Sequence, residues 1–185
     1  MVSQFVSSHE VGLLGDLDFR FPEGTHAIGR LDNHSEGLLL LSTNKKVTRL
    51  LFSDINLHKR VYLVQVNNQL NEEKIEQLRN GVTIRIKNGE YYTTPSCDVE
   101  MVQDPGQLYP HVGADIAYGE HSWMQITLTE GKYHQVRKMV AAIRHRCKRL
   151  IRLSIEEIYL GDLASGQVRE MNEDAFFKQL DIKYP

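Results

Sequence analysis

The chain has 185 residues, of which 41% are hydrophobic and 25% charged, with a formal net charge of −2. This is the make-up of an ordinary globular protein, long enough for a single domain (1–185) with a sizeable core. Its longest apolar run falls far short of a bilayer span, its first ten residues lack a basic flank and a leader-like apolar stretch, and Cys97 and Cys147 lie fifty residues apart. These features set aside a membrane protein, a disulfide-stapled secreted fold and a cysteine-based metal site; a cytoplasmic protein with buried, reduced thiols is expected.

The first 25 residues are weakly patterned and end in a turn signal, Phe21-Pro22-Glu23-Gly24. Next comes Gly29-Arg30-Leu31-Asp32-Asn33-His34-Ser35-Glu36-Gly37, with Asp32 between two glycines that suit a tight turn or a close backbone approach to a ligand. On spacing alone Asp32 is a turn or capping residue first and a candidate catalytic carboxylate second. The four leucines Leu38 to Leu41 predict one buried strand over Gly37 to Thr43, so that Asp32 rides a loop anchored in the core.

Asn44 can cap a helix to about Phe52, and Lys59 to Val66 alternates as a half-buried strand. Asn71 caps a short helix over Glu72 to Arg79 that Gly81 ends, and Lys87-Asn88-Gly89 turns a hairpin between Val82 to Ile86 and Glu90 to Thr94. A strand is expected over Ser96 to Val102, then a long loop to Ser122 rich in proline and glycine, and a strand over Trp123 to Thr129. A helix over Tyr133 to His145, a strand over Leu150 to Tyr159 and a helix over Glu173 to Leu180 complete the chain. This order of elements predicts an α+β fold around a largely antiparallel sheet.

The charge is unevenly spread. Between Gly131 and Arg152 there are eight basic residues and no acid, leaving 14 cations against 24 acids elsewhere, about −10. A basic patch on an acidic body suits contact with a phosphate backbone over one face. No phosphate-binding glycine loop occurs, and no metal-ligand spacing, so neither a nucleotide cofactor nor a metal is expected.

The run Gly-Arg-Leu-Asp, two variable residues, then Ser-Glu-Gly-Leu-Leu-Leu-Leu-Ser-Thr-Asn closely resembles the central motif of the RsuA-type pseudouridine synthases. The resemblance implies that Asp32 is the catalytic residue. Glu130-Gly131-Lys132-Tyr133-His134-Gln135-Val136-Arg137-Lys138-Met139 is similar to a second motif of that family, which implies that Arg137 pairs with the catalytic carboxylate; Lys138 stands where the family has a second arginine. Arg60-Val61-Tyr62-Leu63-Val64 resembles a third, with Arg60 in place of a lysine, and implies that Tyr62 packs against the flipped base. Ile151 and Leu153 would then line an apolar pocket wall.

The family's fold is a central mixed, mostly antiparallel sheet with flanking helices and a cleft across its middle, giving two lobes. The resemblance extends from about Phe5 to Met171. On this resemblance the chain is expected to begin inside the catalytic domain, without the family's first strand or its small amino-terminal RNA-binding domain, which points to the RluE-like branch. The expected activity is isomerisation of one uridine of 23S ribosomal RNA, by a monomer without cofactor. Phosphate and base contacts are expected from Arg30, Arg60, Lys132, His134, Gln135, Lys138 and Arg144. Two other readings remain open: an inactive ribosome-associated RNA-binding protein of the same fold, and a carboxylate-based nucleoside or glycoside hydrolase, for which Glu36 is the only nearby second carboxylate.

Overall fold

A computed structural model of the chain describes residues 1–52, 57–113 and 119–183. The chain enters through an irregular segment with one 3-10 turn, Leu14–Asp16, then forms β1 (His26–Ile28), β2 (Glu36–Gly37), β3 (Leu40–Ser42) and α1 (Lys46–Leu51). Next come β4 (Arg60–Asn67), α2 (Glu72–Arg79), the small hairpin of β5 (Thr83–Arg85) and β6 (Tyr91–Thr93), and β7 (Asp98–Val102). The remaining elements are β8 (His121–Leu128), α3 (Gln135–Ala142), β9 (Cys147–Ile155), β10 (Ile158–Tyr159) and α4 (Glu173–Gln179).

The central sheet runs β10-β9-β4-β8-β7, antiparallel throughout, and β2 joins it parallel to β9. This is the α+β, mostly antiparallel architecture that the sequence predicts. The period of two sorts the strands' side chains into a core on each face. Val64, Val66, Met124, Ile126 and Leu150 pack with Ile75 and Leu78 of α2 and with Val136, Met139 and Val140 of α3. Leu63, Trp123, Ile151, Leu153 and Ile155 pack on the other face with Val47 and Leu51 of α1 and Phe177 of α4. Each core buries several large aliphatic side chains, worth roughly 1.5–3 kcal/mol apiece relative to exposure.

Local chemistry sets the helix ends. Asn71 accepts a hydrogen bond from the Lys74 amide at 3.0 Å, and Asn172 accepts from the Asp174 and Ala175 amides, as N-caps do. Burial pushes both thiols, Cys97 and Cys147, up to about 11, so they are protonated at neutral pH.

The structure departs from the sequence reading at three places. The stretch from Gly37 to Thr43 is two short strands, because Gly37 has φ +99° and turns the chain after β2, after which β3 pairs with β1. The four leucines are therefore covered by two different partners. The expected helix from Tyr133 starts only at Gln135, since His134 is left-handed (φ 54°, ψ 33°), and it stops at Ala142. The expected strand over Leu150 to Tyr159 starts earlier, at Cys147, and breaks at Glu156 (φ 46°) into the hairpin of β9 and β10. The loop after β7 carries two 3-10 turns, Pro105–Gln107 and Pro110–Val112, whose Tyr109 and Val112 are buried; part of it, 114–118, lies outside the described residues.

At Gly37 the fold tolerates no side chain, as also at Gly81: a Cβ on Gly37 would stand 2.4 Å from the Arg152 carbonyl oxygen and 2.6 Å from its amide nitrogen. Gly37→Ala is expected to cost at least about 2 kcal/mol, a fall in Tm of about 4–8 °C for a chain of this size. Gly24→Ala, also at positive φ but with nothing within 4 Å of its Cβ, isolates the backbone term and should cost about 1–2 kcal/mol. Thermal unfolding that shows equal losses in the two variants would mean that β2 does not dock closely on β9.

Candidate active site

Asp32 lies in the turn between β1 and β2, closed by the Ser35 amide donating to the Asp32 carbonyl at 2.8 Å. The turn is held from below by three arginines. Arg137 on α3 donates through Nη2 to the His34 carbonyl and reaches the Ser35 hydroxyl at 3.4 Å. Arg149 on β9 forks onto Glu36, Nε to Oε1 at 2.9 Å and Nη2 to Oε2 at 2.7 Å. Arg152 on β9 donates through Nε to the Leu38 carbonyl at 2.8 Å, while its own carbonyl accepts from the Leu38 amide at 2.9 Å.

The turn overhangs a cleft of about 290 Å³. Asp32, Arg60, Tyr62 and Arg152 line it together with the apolar Leu128, Val136 and Leu150, and Arg30, Tyr133 and His134 contribute to its border. The Asp32 carboxylate, 30% exposed, faces His134 Nε2 at 3.5 Å, an ion pair when the imidazole is protonated. A larger cavity of about 580 Å³ lies under the amino-terminal segment and is lined largely by side chains such as Leu14, Leu17, Phe19 and Phe177. It borders Asp32 but not Tyr62, Arg60 or Arg152, which together with Asp32 line the smaller cleft.

The β8 end and the start of α3 are shaped by one carboxylate. Glu130 accepts from the Tyr92 hydroxyl and from Gln135 Nε2, both at 2.6 Å, and the Lys132 amide donates to Gln135 Oε1 at 2.7 Å. The Glu130 carboxylate raises the pKa of the Tyr92 phenol, mainly through that hydrogen bond. The bracket holds His134 in its left-handed conformation, with its ring stacked on Tyr133 at 3.9 Å between centroids and Lys138 Nζ 5.2 Å from the Tyr133 ring centre.

Several expectations change at this site. Arg137 does not pair with the Asp32 carboxylate; it reaches across to the backbone two residues further on, since the parallel docking of β2 brings the His34 carbonyl rather than the carboxylate over α3. Ile151 and Leu153 lie in the opposite core. Tyr62 is paired with Arg152 and Val64 with Leu150, so it is Leu150 and Arg152 that share the cleft face. One residue of register exchanges the two faces of a strand.

Gln135 borders the cleft but is only 4% exposed, and its side-chain amide is engaged by Glu130 and the Lys132 amide. Arg60 is 7% exposed, 5.3 Å from the Phe52 ring centre inside the cleft, where it can meet only a nucleotide that enters. Arg30, Lys132 and Arg144 are exposed, and Lys138 is half-buried. Sequence reasoning missed Arg152 as a site residue; the signal was an arginine in the middle of the apolar strand Leu150-Ile151-Arg152-Leu153.

The chain is similar over most of its length to known proteins. A family model described as RNA pseudouridylate synthase matches residues 16–142. The ribosomal large subunit pseudouridine synthase E of Vibrio vulnificus is 36% identical over 158 residues, covering 84% of this chain and 64% of the relative. The enzyme of that name from Xanthomonas axonopodis pv. citri is 32% identical over 169 residues, covering 89% of this chain and 85% of its own. A crystal structure of a pseudouridylate synthase superposes with a TM-score of 0.70 at 25% identity, over 87% of this chain and 63% of that one. The chain thus spans under two thirds of the Vibrio relative's length. By the match over most of its length, the chain belongs to the RNA pseudouridylate synthase family.

Proposed function

We propose that the protein isomerises a uridine of large-subunit ribosomal RNA to pseudouridine, in the cytoplasm and as a monomer. The observation that carries this reading is the convergence of the Asp32 carboxylate, the Tyr62 ring and two buried guanidiniums on one apolar-walled cleft. Its volume, near the lower limit of about 300 Å³ for small-ligand pockets, suits one extruded nucleotide and excludes a base still stacked in a helix.

In this reading the target uridine leaves its stack and the uracil enters beside Tyr62, with Leu128, Val136 and Leu150 excluding water. Asp32 is the nucleophile, the chemistry needing neither metal nor redox group. The N1 to C1′ bond breaks, the ring turns, and C5 joins C1′. Arg137 acts through the loop that carries Asp32, fixing its backbone. Outside the cleft, Lys132, Lys138, Arg144 and Arg30 meet the RNA backbone, and the exposed Tyr133 offers a face for a neighbouring base.

The hydrolase reading loses its second carboxylate: Glu36 is forked by Arg149, and Glu130 is spent on Tyr92 and Gln135. Homologues named as ribosomal large subunit pseudouridine synthases support the choice of RNA.

Unmodified ribosomal RNA transcripts incubated with the protein should gain pseudouridine at a large-subunit uridine, detected by nuclease digestion and mass spectrometry. Absence of product with RNA bound would favour an inactive binding protein. Asp32→Asn should abolish turnover and leave RNA affinity within about threefold, since the amide keeps the shape and loses the nucleophile. Arg137→Lys should lower the single-turnover rate about 10- to 100-fold at unchanged RNA affinity, because the lysine ammonium ends one bond short of the place of Nη2, which holds both loop acceptors, and small misplacements near the chemistry are costly. Full activity in that variant would remove Arg137 from the mechanism. With about four phosphate contacts, affinity should fall with salt at a log-log slope of roughly −3, flattened by reversing Lys138 and Arg144 together.

A further inference from the structure

Arg152 is the least expected residue of the cleft. It is 5% exposed in the middle of β9, and its Nη2 is buried with no hydrogen-bond partner among the described residues; Nε is committed to the Leu38 carbonyl. Burying a guanidinium is costly unless the charge is answered. Burial lowers the pKa of Arg152; Tyr62, through its charge and a side-chain hydrogen bond, and Asp32 favour the charged form, and Arg60 opposes it. As an arginine it keeps its proton at physiological pH. A loop anchor alone needs only Nε. A second buried cation, Arg60, lines the same cleft, so the pair forms a site prepared for negative charge in a place shielded from water.

Two anions could answer that charge, a phosphate or the base itself. Phosphates stay at the mouth, where Arg30 and Lys132 are exposed, whereas Arg152 sits beside Tyr62 and Leu150, where the ring lies. We propose that Arg152 is a further catalytic residue, whose unpartnered Nη2 holds the negative charge that gathers on the uracil carbonyl oxygens when the ring detaches. The inference rests on the reading of the cleft as the place of uridine isomerisation. In the step concerned, the electron pair of the N1 to C1′ bond leaves with the ring, giving a uracil anion with charge on N1, O2 and O4, while C1′ is taken up by the Asp32 carboxylate. After the ring turns, C5 bonds to C1′ as the bond to Asp32 opens. C5 then releases its proton and N1 takes one up, so nothing is oxidised or reduced and the proton count is unchanged. Arg152 lies beyond the segment matched by the family model, on the strand that also carries the loop's anchor.

The test compares wild type, Arg152→Met and Arg152→Lys in single turnover on two RNAs, one with uridine and one with 5-fluorouridine at the target. The readout is loss of the N1-linked nucleoside. Fluorine stabilises the departing anion, so a fluorinated ring depends less on the enzyme for that purpose. Arg152→Met should lose about 100- to 1,000-fold on uridine, the usual cost of one lost donor to a developing anion. Its deficit on 5-fluorouridine should be at least tenfold smaller, with RNA affinity within about threefold. Arg152→Lys, which keeps a buried cation, should fall between and carries the comparison if the methionine variant does not fold. Equal deficits on both RNAs would make Arg152 a structural anchor and overturn the proposal, as would a Met variant within threefold of wild type. A wild-type protein that makes no pseudouridine in any ribosomal transcript would instead overturn the reading of the reaction, and this inference with it.

Discussion

The site depends on the parallel docking of Glu36-Gly37 against Ile151-Arg152, two residues of pairing that join an edge segment to the middle of the protein. Gly37 permits the approach because it has no side chain, and Leu38 and Arg152 exchange hydrogen bonds in both directions across the joint. The Arg149 fork on Glu36 is a charge-assisted, bidentate contact, the kind that adds geometry as well as energy. Asp32 is four residues from this joint. Its carboxylate thus inherits the rigidity of the central sheet while standing on a turn, where a ligand can reach it.

The basic segment serves three ends. Arg149 and Arg152 face inward and fasten the loop, Arg137 reaches over from α3 to the same loop, and Lys132, Lys138, Arg144, Arg146 and Lys148 remain for an outside partner. A count of charge therefore overstates the phosphate-binding surface, since three of the eight cations are engaged inside the protein. The acidic remainder of the chain still leaves this side as the one a polyanion would choose. Glu130 works in the reverse sense: it is an acid at the edge of the cleft, but its oxygens are taken by Tyr92 and Gln135, and it shapes the turn that presents His134 to Asp32.

Much of the fold was legible because the responsible forces are local. The Asn71 cap, Gly81 after α2, the Asn-Gly hairpin signal and the alternation in β4 and β8 each express backbone geometry within a few residues. What failed were boundaries governed by contacts far along the chain. The leucine run looked like one strand because its composition is uniform, yet a positive φ at Gly37 divides it between the central sheet and the β1–β3 pair. The left-handed His134 shortened α3 for the sake of a bracket made with Tyr92, more than forty residues upstream and invisible to helical periodicity.

The sequence by itself determined the family, through motifs whose residues recur in order, and with it the α+β architecture and the candidates Asp32 and Tyr62, which line one cleft. Only the tertiary structure decided what surrounds them. The face that a strand residue presents follows from pairing with a partner strand, so the choice of Leu150 and Arg152 over Ile151 and Leu153 awaited the register of β9 on β4. The target of a long arginine is likewise whatever polar group the fold carries into its reach. For Arg137 that was the backbone of the Asp32 loop, and for Arg152 the edge of the cleft, because docking β2 on β9 set the height of the loop above both.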